Sequence, residues 1–260
     1  MNATTAIFDF AAADHILPES TKAAALYLLG DTLAGGAAGA VSGEAQAMLS
    51  AVRGWGEGEH ARLLGLSTRL PAPSAAWFNG FAVHCLEWDA VHEPAVVHAM
   101  SVVTATLLAA VDRQGGCDVD EFLSALCVGV DIASGLGVAA TGAMQFFRPA
   151  TAGVIGAALA VARMDKLPSE KYANVMGLAY SQAAGSMQAH VEASIALPLQ
   201  IANASRAAIT AVDLVKAGMD GPHDALEGPF GYFKLFEPGD LARYTDSIGK
   251  RWLIEEVSIK

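Results

Sequence analysis

Eight stretches of this chain share one texture: Ala and Gly mixed with Leu, Val and Ile, apolar on more than one face and bounded by Gly, Pro or Asp. T-A-G-V-I-G-A-A-L-A-V-A at 151–162 is the extreme case. A helix that is apolar all round must be enclosed by other helices, and Gly/Ala faces let those neighbours come close. Periodicity and punctuation predict helices over roughly 20–35, 42–53, 73–88, 98–113, 118–139, 149–163, 168–185 and 198–217. Ser20 or Thr21 is the expected N-cap of the first, and Gly35-Gly36 its stop. The fold class that follows is all-α, a multi-helix bundle with buried central helices.

The texture changes after Gly221, where G-P-H-D-A-L-E-G-P-F-G-Y-F-K-L-F-E-P-G-D reads as an ordered loop with one short helical turn. The last residues, R-W-L-I-E-E-V-S-I-K, have strand character through Leu253, Val257 and Ile259. A short β-strand with no partner in this chain is expected to open a second unit or to pair with another subunit.

Composition narrows the partners. A formal net charge of −11 with no basic run argues against nucleic acid and anionic membranes. The apolar runs Met100 to Val111 and Thr151 to Ala162 are shorter than the roughly 20 residues a spanning helix needs, so they are expected to be buried helices. M-N-A-T-T-A-I-F-D-F lacks the basic region and long apolar run of a leader, which makes a cytoplasmic location the expectation. Cys85, Cys117 and Cys127 are odd in number and set in apolar sequence, as reduced core thiols would be.

Titratable groups concentrate in N-G-F-A-V-H-C-L-E-W-D-A-V-H-E-P-A-V-V-H-A-M at 79–100. His84 and Glu87 are three apart, so on a helix they share a face, and the carboxylate would fix the imidazole tautomer of a general base. A buried His satisfied by Glu in a helix-end network has the same spacing. Asp89 lies off that face, near the helix end, where it would bind a substrate hydroxyl or orient His92. His92 and His98 flank E-P-A-V-V, a loop or helix start because of Pro94. His98 is read equally as an acid/base and as helix N-terminal packing. The spacing of His84, Glu87, Asp89 and His92 matches no standard metal signature, so no metal is expected. Arg148, between Phe147 and Pro149 at a helix start, would grip a carboxylate with its planar fork; capping a neighbouring helix is the alternative. Lys260 would add a second cation if the chain folds back. His190, with Gln188 and Glu192, falls in a polar segment read as a loop.

L-P-E-S-T-K-A-A-A-L-Y-L-L-G-D-T-L-A-G at 17–35, S-A-A-W-F-N-G-F-A-V-H-C-L-E-W-D-A-V-H-E at 74–93, F-F-R-P-A-T-A-G-V-I-G-A-A-L-A at 146–160 and L-E-G-P-F-G-Y-F at 226–233 occur in the order seen in the MmgE/PrpD family. The chain resembles that family over essentially its whole length. The resemblance implies a cofactor-free, dimeric lyase acting on a small polycarboxylate, with 2-methylcitrate-type dehydration first, and epimerisation or decarboxylation as alternatives. It implies His84, Asp89, His98, Glu87 and His92 as catalytic residues and Arg148, Asn79 and Lys260 as substrate-binding ones. It also divides the chain into an all-helical domain over 1–245 and the truncated start of an α+β domain over 246–260. A catalytically dead dimerisation or substrate-binding half is the competing expectation. Three departures stand out: Glu87-Trp88-Asp89-Ala90 replaces Asp-aromatic-Asp-Asp, Arg148 stands where many members carry His, and Leu197 where a Lys is common.

Overall fold

Helix α7 (Arg148–Met164) is the axis of the molecule: Arg163 is its one residue that is not buried. The computed structural model describes residues 3–260. In chain order the other helices are α1 (Ala3–Ala12), α2 (Glu19–Ala40), α3 (Gly43–Arg53), α4 (Ala72–His84), α5 (Ala99–Gln114), α6 (Val119–Ala139), α8 (Tyr172–Tyr180), α9 (Gln188–Val191), α10 (Ala196–Lys216), α11 (Tyr232–Leu235) and α12 (Ala242–Thr245). The strands β1 (Ala61–Arg62), β2 (Arg69–Leu70), β3 (Val91–His92) and β4 (Val257–Ser258) are two residues each. The fold is all-α, as the sequence implies.

α7 packs against α5, α6, α8 and α10, while α4 packs against α2, α5 and α10. Small residues make these contacts close. A Cβ placed on Gly156 would collide with the Gly129 carbonyl oxygen of α6 and lie 2.9 Å from the Ala133 Cβ. Helix propensity favours Ala over Gly by about 1 kcal/mol, yet the backbone obstruction should win. Gly156→Ala is expected to cost about 2 kcal/mol net, seen as a lower urea midpoint at unchanged slope. An unchanged midpoint would show that α6 and α7 can separate at no cost.

Several of the expected helix limits are corrected. α2 does not stop at Gly35-Gly36 but runs to Ala40. Its glycines serve close approach: Cβ atoms on Gly36 and Gly39 would strike Val83 and the Ala82 carbonyl of α4. Its start lies at Glu19 after Pro18, and Ser20 and Thr21 do not cap it; both hydroxyls donate to Glu255. α4 ends at His84 rather than 88, because the chain turns through Glu87 at φ 53°. α8 is likewise shorter than 168–185, and α1 has no counterpart among the expected helices.

α6 is, by length and composition, long and apolar enough to cross a membrane, yet its apolar stretch is mostly buried inside the fold. That burial accounts for its composition.

The terminal strand has a partner within the chain, contrary to expectation. β4 pairs antiparallel with β3, Val91 opposite Ser258 and His92 opposite Val257. The segment leading to it is docked on the helical body. Leu253 and Ile254 are buried. The Leu253 N–H donates to Asp131 Oδ2 of α6 at 2.9 Å, and the Tyr244 hydroxyl donates to Oδ1 at 2.8 Å. Residues 246–260 thus pack as part of the helical unit, and the docking brings Lys260 back to the His-rich block.

Candidate active site

The chain leaves α4 at His84, loops through 85–90, forms β3, makes a 3-10 turn at Glu93–Ala95 and enters α5 with His98 at the N-cap. Val96 adopts the left-handed conformation, φ 52°, which aims the chain back toward the end of α4. This path places His84, Asp89 and His98 together. Asp89 is buried and is approached by three donors. His84 Nδ1 lies 2.9 Å from Oδ2 and 3.0 Å from Oδ1, and His98 Nδ1 lies 3.2 Å from Oδ2. The Ser101 hydroxyl, in the first turn of α5, donates a short bond to the same oxygen. Burial by itself would raise the Asp89 carboxyl, but the charge and hydrogen bonding of His84, followed by His98, hold it far below the usual carboxylate range.

The tautomers follow from the acceptors. His98 Nδ1 faces two of them, Asp89 Oδ2 and the Ala90 carbonyl at 3.1 Å, so Nδ1 carries a proton. No partner among the described residues reaches its Nε2, and the side chain is partly open. Nε2 of His98 is therefore the atom free to exchange a proton. His84 is enclosed: its Nε2 is buried without a partner, its ring 5.1 Å from that of His98 and 5.7 Å from that of Phe147. His84, Asp89 and His98 also offer metal-ligand atoms within 4.8 Å of one another. Both Nδ1 atoms would have to surrender the protons that now bind Asp89 before they could serve as ligands.

A cleft of about 520 Å³ adjoins this cluster, lined by Asp31, Thr32, Gly35 and Ala38 of α2 with Val83, Trp88, Asp89 and Lys260. The Lys260 ammonium is held there by the Glu87 carbonyl at 2.9 Å. Lys260 thus does fold back toward the His-rich block.

Four expected site residues lie elsewhere or are already engaged. Glu87 does not share a face with His84: it is exposed, beyond the helix end, and Asp89 has the role expected of it. His92 is fully buried within the β3–β4 pair and is not among the partners of Asp89. Its Nδ1 accepts from the Ala95 N–H at 3.2 Å, and its Nε2 lies 3.6 Å from Glu256. Burial lowers its pKa, against the opposing charge of Glu256. Asn79 is consumed by structure, accepting from the Leu64 N–H at 2.9 Å and donating to the Arg62 carbonyl at 3.1 Å. Arg148 grips a protein carboxylate: its Nε binds Glu237 at 2.7 and 3.0 Å, and its other nitrogens donate to the Ala95 and Gly142 carbonyls. The Tyr232 hydroxyl completes the pair from the loop side. These bonds anchor the turn before His98 through the Ala95 carbonyl and commit the Nε edge of the fork to Glu237. His190 is exposed on the four-residue α9.

The sequence reading passed over Asp31, Ser101 and Glu237. An isolated acid inside an apolar helix, such as Asp31, is the sort of signal that could have been noticed.

The family model of the MmgE/PrpD N-terminal domain matches residues 7–245. The chain belongs to the MmgE/PrpD family. It is 27% identical to the cis-aconitate decarboxylase-like protein oryM of Aspergillus oryzae over 265 aligned residues, covering 94% of this chain and 54% of that protein. Human cis-aconitate decarboxylase is 31% identical over 198 residues, 74% of this chain and 40% of the enzyme. The mouse enzyme is 27% identical over 203 residues, with the same coverage. The chain spans about half the length, or less, of these curated relatives. Membership in the family accounts for the order of the sequence blocks.

Proposed function

We propose that this chain carries the acid/base site of a lyase that acts on a small polycarboxylate through a carbanion or enolate-like intermediate. The observation that supports the reading most is the His98–Asp89 pair beside a cleft that holds the Lys260 ammonium. Asp89 keeps the imidazole in one tautomer and stabilises its protonated form, leaving Nε2 to move a proton. The ammonium of Lys260 pairs with a substrate carboxylate and offsets the charge that develops beside it. Dehydration of a hydroxy-polycarboxylate of the 2-methylcitrate type fits this set: one C–H proton goes to the base, and the hydroxyl leaves as water after protonation. The reaction moves no electrons to or from an external acceptor, so no redox cofactor is called for. The names of the curated relatives favour a second reaction of the same kind, decarboxylation of cis-aconitate. Loss of carbon dioxide from the CH2 carbon leaves an enolate-like allylic carbanion, the double bond shifts, and a proton adds at the far end of the allylic system.

The test is incubation of the full chain with 2-methylcitrate and with cis-aconitate in deuterated buffer, followed by proton NMR. New alkene signals, carbon dioxide release or deuterium incorporation support the reading if they vanish in His98→Gln and persist in His223→Ala. His223 bonds to Asn174, away from the cleft. No exchange with either acid, or exchange that survives His98→Gln, would overturn it.

A further inference from the structure

The lining of the cleft contains one charged group that has no donor among the described residues. Asp31 is partly buried on α2, and among the described residues no donor reaches its carboxylate. Its neighbours are spoken for. Thr32, beside it, donates its hydroxyl to the Leu28 carbonyl at 2.8 Å. Asp89 already receives His84, His98 and Ser101. Lys260 is the one cation among the described residues of the cleft, and its ammonium keeps donors to spare beyond the Glu87 carbonyl.

The charges here do not suit a bare polycarboxylate. Two carboxylates and one ammonium line the space, so each extra anionic group of a ligand beyond the one Lys260 takes would face Asp31 or Asp89. Partial burial and then the Asp89 charge already raise the Asp31 pKa, a sign that its carboxylate lacks a donor. A ligand that brings a hydroxyl or ammonium group turns this repulsion into a charge-assisted hydrogen bond.

We propose that Asp31 determines specificity in the cleft by accepting a hydrogen bond from a hydroxyl or ammonium group on the substrate skeleton, while Lys260 holds one of its carboxylates. The inference rests on the cleft being the substrate site. It selects hydroxy- or amino-polycarboxylates over acids of the same skeleton that lack a donor, and so favours the dehydration reading over decarboxylation of cis-aconitate.

Three four-carbon acids differing at one position test it: malate with a hydroxyl, aspartate with an ammonium and succinate with neither. Binding is measured by calorimetry near neutral pH, with no turnover required. At least one of malate and aspartate is expected to bind the wild-type chain about tenfold tighter than succinate, the size of one hydrogen bond to a charged group. Asp31→Ala should bring all the affinities together. Asp31→Asn separates the two donors: it keeps an acceptor for the hydroxyl but removes the charge that favours the ammonium. Lys260→Ala should weaken all three acids. Equal affinities in the wild type, or a preference that survives Asp31→Ala, would overturn the role of Asp31 while leaving the cleft reading intact. No binding of any acid, or binding indifferent to Lys260→Ala, would overturn the cleft reading and the inference together.

Discussion

Asp89→Asn is expected to lower turnover by a factor of about 10³ to 10⁴, the loss seen when the carboxylate that orients a catalytic imidazole becomes an amide. The argument is one of donors and acceptors. Asp89 accepts from His84 Nδ1, His98 Nδ1 and the Ser101 hydroxyl. An amide at this position has one oxygen and turns an N–H₂ toward at least one of those donors, so an imidazole must rotate or change tautomer. If the amide nitrogen faces His98, that ring presents its proton at the wrong nitrogen; if it faces His84, the ring that packs on His98 must shift. In both orientations the charge that stabilises the His98 imidazolium is gone. Substrate binding through Lys260 is not touched by the change, so KM should move far less than kcat. The comparison is made on whichever acid the wild type turns over, together with side-chain nitrogen NMR of the histidines, which reports the tautomer without any substrate. Turnover within tenfold of wild type, with the His98 tautomer unchanged, would remove Asp89 from the mechanism.

Asp131→Asn should act in the opposite sense, on stability. Asp131 is buried in α6, and desolvation pushes its pKa up to about 6, against the hydrogen bonds from the Leu253 N–H and the Tyr244 hydroxyl. Because the folded value lies above the ordinary 3.8, the neutral form is the one the fold prefers. Its contribution to stability is complete below about pH 4 and is lost as pH rises through 6; above that the buried charge costs about 3 kcal/mol. Asparagine preserves the geometry without the charge: its oxygen accepts from Leu253 N–H, and its amide donates to the Tyr244 hydroxyl. The variant should therefore gain on the wild type as pH rises from 4 to 7, reaching roughly 6–12 °C in Tm. A difference that stays flat across this range, or falls, would mean that the charge is compensated in the fold. The same bonds dock the segment that carries Lys260, so the variant also reports how firmly that cation is held.

Much of the helical framework was legible in the sequence, because an apolar helix with small residues announces its own burial. α5, α6, α7 and α10 fall close to the expected limits. One limit that moved is the end of α2, where glycine was taken as punctuation. In α2 the glycines serve contact with α4, and nothing in a single sequence separates a glycine that ends a helix from one that lets a second helix touch it. The site was legible as a segment but not as a set of contacts. Helical spacing paired His84 with Glu87; the structure pairs it with Asp89, since α4 ends at His84 and spacing rules lapse past a helix end. Arg148 was read as a ligand fork because its carboxylate partner, Glu237, lies 89 residues away in an irregular loop.

The sequence by itself determined the all-α class, the enclosed central helices, the family and the stretch of chain where the titratable groups concentrate. These depend on local quantities: apolar periodicity, residue size and the order of short blocks. Only the tertiary structure decided which histidine keeps a free nitrogen, that the terminal strand pairs with β3, that Lys260 reaches the cleft and that Asp31 meets no donor among the described residues. Those outcomes depend on contacts between residues far apart in the chain, whose distances are set by how whole helices pack.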